Sequence, residues 1–235
     1  MNKILIIGGA GYVGSSLSIE LDKRGHDISI VDLLWFGNNL PNHLKNKVQK
    51  IDALELTHND LSPFDTIIFI AGLSNDPMAD YSPAKNFISN SATPAYIAYI
   101  AKTALTTSTI FVNDPSVWRP ILALKDCISA YVCAVESDIK ISGIFNIASD
   151  NYTVNQIANI VKNTIETEKN IKLNIIYNNI KDVRNYKVDC SKAKQILRFS
   201  PLNNVELIVK DLLSYNDFGD MENPLFYNIK TFSNL

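Results

Sequence analysis

Three glycines, Gly8, Gly11 and Gly14, stand at even spacing directly behind an apolar run at residues 3–7, and Asp32 ends the next apolar run. This G-x-x-G-x-x-G pattern suits the chemistry of phosphate binding. Gly8 lets the chain turn off a strand, Gly11 lets backbone approach a pyrophosphate, and Gly14 lets a helix pack closely on the strand. A helix opening at that turn offers free N–H groups and the positive end of its dipole to phosphate oxygens. A carboxylate at position 32 can accept hydrogen bonds from ribose hydroxyls and would repel a 2′-phosphate. The pattern therefore predicts a dinucleotide site that takes NAD rather than NADP.

The remaining reactive side chains are less informative. His26, His43 and His58 are isolated and read as solvated histidines. Cys127, Cys133 and Cys190 are odd in number and lack metal-ligand spacing, so neither zinc nor disulfides are expected. That usage fits a reducing cytoplasm.

The elements that must position the glycines follow from periodicity. Residues 3–7 read as a buried parallel strand, residues 12–24 as a helix ended by Gly25, and residues 27–32 as a second strand. Residues 48–51 and 65–70 read as third and fourth strands. A loop over 71–81 leads to a helix that opens at Ser82-Pro83 and runs to Lys102, kinked at Pro94. Residues 109–112, 121–124, 143–148 and 172–177 read as further strands. Asp126 is expected to cap a helix reaching Glu136, and Thr153 with Gln156 to form a capping box for a helix to Ile165. Ser191 opens a short helix, and residues 205–213 form the last one.

Strand and helix alternate through the first hundred residues, which predicts an α/β protein with a doubly wound parallel sheet. The expected boundary separates an NAD-binding domain at 1–112 from a small substrate-binding lobe and C-terminal arm at 113–235. The chain has 235 residues, of which 46% are hydrophobic and 20% charged, so a real core is available. Net charge is −2 with no basic run, which argues against nucleic acid as a partner. No stretch approaches the length of a membrane span, and the first apolar run stops at Gly8-Gly9, too short for a signal-peptide core.

Taken in order, several segments resemble the extended short-chain dehydrogenase/reductases, within the NAD-dependent nucleotide-sugar epimerase/dehydratase family (UDP-glucose 4-epimerase-like). They are Gly8-Gly9-Ala10-Gly11-Tyr12-Val13-Gly14, Val31 to Asn38, Ile70 to Met78, Trp118-Arg119-Pro120, Gly143 to Ala148, and Asp182 to Asp189. The resemblance implies a Rossmann-type sheet, here truncated, and a small C-terminal α/β lobe. It implies that Tyr12 and Val13 lie in the cofactor turn and that Leu33 follows the ribose-binding Asp32. Asp52 and Ala53 resemble the pair that holds adenine. Ala71, Gly72 and Leu73 resemble the segment beneath the ribose and nicotinamide, and Asn90 an Asn on the following helix. Arg119 and Arg184 resemble arginines that hold a nucleotide-sugar diphosphate, a task suited to the planar guanidinium fork.

One departure from the family is large. Where the family carries a catalytic Ser/Thr, a Tyr-x-x-x-Lys pair and two more strand–helix units, only Thr103 to Ser108 intervene here, so about 60 residues or more are missing. In the family that Tyr removes a sugar hydroxyl proton while hydride passes to NAD, with Lys lowering its pKa. Two Tyr-x-x-x-Lys strings remain, Tyr81 with Lys85 and Tyr177 with Lys181. Tyr81 is better placed, because its loop follows the fourth strand at the carboxyl edge, where ligands bind in such sheets. Two functions stay open. One is an epimerase/dehydratase-like protein with altered catalysis. The other is a non-catalytic NAD or nucleotide-sugar binding protein that regulates or partners a complete homologue. The deletion also makes strand 65–70 a sheet edge, which predicts a cover from Thr109–Val112 or a homo-oligomer.

Overall fold

A computed structural model of the chain describes residues 2–72, 107–178, 180–181 and 185–215. These residues fall into two compact units, 2–72 and 107–215.

In the first unit, β1 (Lys3–Ile7), β2 (Asp27–Val31), β3 (Val48–Gln49) and β4 (Thr66–Phe69) form one parallel sheet in the order β3-β2-β1-β4. Strand side chains alternate between faces. Leu5, Ile7 and Val31 gather Ile51, Ala53, Leu56, Leu61, Phe64 and Ala71 on one side. Ile4, Ile6, Ile28 and Ile30, all essentially sealed from solvent, occupy the other. The helix α1 (Tyr12–Lys23) buries Gly14, Leu17, Ser18 and Leu21, the stripe that a 3.6-residue period demands. Two short helices, α2 (Asn42–Lys45) and α3 (His58–Leu61), lie in the crossovers, and a 3-10 turn at Ala53–Glu55 follows β3. β4 ends the described sheet, with Ile67 45% and Phe69 58% exposed.

The second unit contains β5 (Thr109–Val112), β6 (Trp118–Ile121), α4 (Leu124–Val135), β7 (Asp150–Thr153), α5 (Val154–Lys169), β8 (Asn174–Tyr177), α6 (Ser191–Ile196) and α7 (Val205–Leu213). β5 pairs in parallel with β8, and β6 pairs antiparallel with β7. Thr109–Val112 therefore finds its partner in Asn174–Tyr177, and the first domain's expected reach to residue 112 takes in a strand of the second unit. Ile110, Val112, Ile121, Ile157, Val161, Ile165, Val205 and Val209 close the main core. A smaller core joins Leu122 and Ala130 to Ala193, Leu197 and Phe199. The capping box at Thr153 and Gln156 is present, and α7 spans the residues that the sequence marks.

Three local expectations are corrected. The strand expected at 121–124 lies earlier, at Trp118–Ile121, with Pro120 opposite Asn151 in a two-stranded ribbon. Pro is tolerated there because a ribbon of two strands leaves N–H positions that need no ladder partner. Residues 143–148 form no strand. Phe145 and Ile147 do face the smaller core while Ile144 is 85% exposed, so the alternation is real but has no ladder behind it. Asp126 does not cap α4, whose N-cap is Ala123. It is 2% exposed and accepts four hydrogen bonds, from Ser149 Oγ (2.6 Å), Leu202 N (2.9 Å), Asn203 N (3.0 Å) and Asn203 Nδ2 (2.7 Å). Among the described residues no helix is long and apolar enough to cross a membrane.

Candidate nucleotide-binding site

The glycine turn is shaped by backbone contact. Gly8 has φ 88°, and a Cβ there would stand 2.6 Å from Ala71 Cα, so the strand end of β4 comes directly against the turn. A Cβ on Gly14 would collide with the Gly8 carbonyl oxygen and stand 2.7 Å from Gly9 Cα. Both positions therefore require glycine on grounds of the protein's own packing. At Gly11 such a Cβ would meet, among the described residues, Gly8 O at an uncrowded 3.4 Å, so packing does not demand glycine there as it does at Gly8 and Gly14. The sequence missed Gly9, where a Cβ would press on Ile30 Cγ2 at 2.7 Å. A glycine flanked by the two recognised ones gives no separate signal.

Gly11 is the N-cap of α1. No side chain caps it and no acidic residue stands in the first turn. Such an end presents N–H groups and a positive dipole to an anion. Tyr12, 60% exposed, and Val13 begin the helix.

Asp32 follows β2 and ties two loops together. Its Oδ2 accepts from Ala10 N at 3.0 Å, inside the glycine turn. Its Oδ1 accepts from Leu34 N at 2.8 Å, in the loop after β2. A carboxylate has about four acceptor positions, so roughly two stay available. Leu33 beside it is half-buried. Asp52 is the N-cap of the 3-10 turn, and its Oδ1 accepts from Leu54 N at 2.9 Å. Ala53 packs on the Leu5–Ile7–Val31 face, as does Ala71. Gly72 is exposed at the end of β4. The structure thus brings Gly8, Gly11, Tyr12, Val13, Gly14, Asp32, Leu33, Asp52, Ala53, Ala71 and Gly72 to the segments that leave the carboxyl ends of the four parallel strands. Leu73, Tyr81, Lys85, Asn90 and Arg184 lie outside the described residues.

Arg119 sits on β6 in the second unit, with Nη1 donating to Trp118 O at 2.8 Å. Trp118 N donates to Asn185 Oδ1 at 2.9 Å, and the Lys187 ammonium stands 3.4 Å from the Trp118 ring centroid. Asn151 closes the same junction through paired bonds with Val188. Tyr177 OH donates to Asn155 Oδ1 at 2.8 Å, which ties β8 to the start of α5. Burial pushes the Cys127 thiol up to about 11, which removes it as a thiolate nucleophile. Among the described residues no cluster of His, Cys, Asp and Glu could hold a metal ion.

A parallel sheet with a glycine turn between β1 and α1 and an acid after β2 defines a Rossmann-type unit. Residues 4–93 match the model of the NAD dependent epimerase/dehydratase family, which bears out the resemblance carried by the motifs in that stretch. Over 92 residues the chain is 29% identical to UDP-glucuronic acid decarboxylase 1 of Danio rerio, a match covering 37% of this chain and 22% of that protein. The curated relatives are matched over less than a quarter of their own length. The Thermus thermophilus UDP-glucose 4-epimerase in complex with NAD superposes with a TM-score of 0.67 at 13% identity, covering 90% of this chain and 99% of that one. MoeE5 in complex with UDP-glucuronic acid and NAD gives a TM-score of 0.67 at 14% identity, covering 88% and 96%. At such identities the likeness is one of fold.

Proposed function

We propose that this chain is an NAD-binding, nucleotide-sugar epimerase/dehydratase-like protein with an altered active site. The observation that carries the reading is the glycine turn packed against β4 and tied to Asp32, at the N-terminus of α1. Matching relatives that act on nucleotide sugars, and neighbours solved with NAD, support the cofactor and the substrate class.

In this reading the start of α1 receives the pyrophosphate. The spare acceptor positions of Asp32 receive ribose hydroxyls, Asp52 and Ala53 flank the adenine, and Ala71, Gly72, Leu73 and Asn90 lie along the nicotinamide half. NAD, when bound, supplies a hydride acceptor. Arg119 and Arg184 hold the diphosphate of the sugar nucleotide, and Tyr81 with Lys85 is the chain's own candidate for proton removal. The three cysteines form no disulfide, which supports a cytoplasmic setting. The exposed Ile67 and Phe69 on β4 support a homo-oligomer that covers this edge.

The second reading, a binding protein without turnover, is favoured by the missing segment between Lys102 and Thr109. One experiment separates the two. NADH fluorescence is followed on NAD-loaded protein while UDP-, GDP- and dTDP-sugars are added. The altered-enzyme reading predicts a rise with at least one sugar, abolished in Tyr81→Phe. NAD binding without any rise supports the binding protein. Failure to bind NAD contradicts both.

A further inference from the structure

Leu34 holds a backbone conformation that leucine avoids. Its φ is 56°, in the left-handed region where Cβ crowds the following carbonyl oxygen. Among the described residues the other non-glycine positions in this region are Ser108, Asn170 and Arg198. Asn170 and Arg198 stand at the ends of α5 and α6, where a left-handed residue commonly closes a helix. Leu34 ends no helix, and it lies two residues beyond Asp32.

Two bonds hold Leu34 there. Its N–H donates to Asp32 Oδ1 at 2.8 Å, and its carbonyl accepts from Gly37 N at 3.0 Å. The first of these bonds also acts on the aspartate. With Leu34 N on Oδ1 and Ala10 N on Oδ2, the carboxylate is gripped at both oxygens by two different loops. The plane of the carboxylate, and hence the direction of its spare acceptor positions, is set by these bonds. Unfavourable backbone geometry persists where the surroundings over-determine it, and it concentrates at ligand sites.

We propose that Leu34 is a positioning residue that fixes the Asp32 carboxylate and thereby sets the preference for a 2′-hydroxyl over a 2′-phosphate dinucleotide. The inference rests on the NAD reading of the first unit. If the Leu34 bond is lost, the carboxylate can rotate away. Binding to the ribose hydroxyls then weakens while repulsion of a 2′-phosphate relaxes, so the two ligands move in opposite senses.

The test is calorimetric titration of NAD and of NADP into wild-type, Leu34→Val and Leu34→Gly proteins. A β-branched residue disfavours φ 56° more strongly than leucine, whereas glycine adopts it freely. The expected result is a preference for NAD over NADP in the wild type that falls about tenfold in Leu34→Val and is retained in Leu34→Gly. Equal weakening of both ligands in Leu34→Val, or an unchanged ratio, overturns the inference and leaves the NAD reading intact. A wild-type protein that binds neither ligand overturns the NAD reading itself. If Leu34→Val does not fold, amide hydrogen exchange on folded wild-type and Asp32→Ala proteins decides. The Leu34 and Ala10 amides should be protected in the wild type and lose protection together in the variant. An unprotected Leu34 amide in the wild type overturns the proposal.

Discussion

Asp32 in the first unit and Asp126 in the second do similar work with different amounts left over. Each carboxylate ties two separate segments, Asp32 through the Ala10 and Leu34 N–H groups and Asp126 through the Ser149 hydroxyl and the N–H groups of Leu202 and Asn203. Asp126 is 2% exposed and accepts four hydrogen bonds, which exhausts its acceptor positions. Asp32 is half-buried and accepts two. A buried, saturated carboxylate is a joint. A half-buried one with spare acceptors, beside a helix start without a side-chain cap, has capacity for a ligand. In the proposed reading, residual acceptor capacity, more than burial or carboxylate identity alone, separates the structural Asp126 from Asp32.

The largest effect expected from this contrast is at the saturated joint. Asp126→Ala leaves two backbone N–H groups, a hydroxyl and an amide without their acceptor, and should cost about 3–5 kcal/mol in chemical denaturation. NAD affinity should stay as in the wild type under conditions where the variant is folded. A cost below about 1 kcal/mol would mean that Asp126 is not the joint.

Gly14→Ala comes next. The added Cβ meets the backbone of Gly8 and Gly9, which cannot swing aside as a side chain can. About 2–3 kcal/mol of stability should be lost, together with NAD binding. Gly11→Ala, whose Cβ among the described residues meets Gly8 O at 3.4 Å, should leave stability nearly unchanged and weaken NAD alone. Equal destabilisation by the two substitutions would erase the distinction between a packing glycine and a ligand-facing one.

The smallest effect concerns a half-buried carboxylate in the second unit. Glu166 is held below its ordinary value of 4.5, chiefly by the hydrogen bond from Leu173 N and also by Lys162 and Lys172. A depressed folded-state pKa stabilises the fold above the unfolded value, and that contribution disappears as pH falls through the folded value. The stability of wild-type protein should therefore decline slightly below about pH 4.5 relative to Glu166→Gln. Parallel pH profiles for the two proteins would show that the bond contributes nothing.

Much of the first unit was legible because its constraints are local. β1 matches the five residues of the apolar run, α1 ends at the expected glycine, and Gly14 meets the strand end as the spacing implies. The capping box at Thr153 is equally local, since its two partners lie three residues apart. The misread positions depend on distant partners. Asp126 looks like a cap by its place before an apolar stretch, whereas its acceptors are used by residues 149, 202 and 203. Residues 143–148 alternate like a strand, but periodicity reports which side chains face a core and not whether a neighbouring backbone is there to pair. The left-handed Leu34 had no sequence signal, because glycine or asparagine would normally mark such a turn.

The most direct test of the account is calorimetric titration of NAD into wild-type and Asp32→Asn proteins, with thermal melts of both. The account predicts stoichiometric NAD binding to the wild type, at least tenfold weaker binding to Asp32→Asn, and melting temperatures within a few degrees of each other. Unchanged NAD affinity in Asp32→Asn, or a melting temperature lowered as far as in Asp126→Ala, would contradict it, because Asp32 would then be a joint of the same kind.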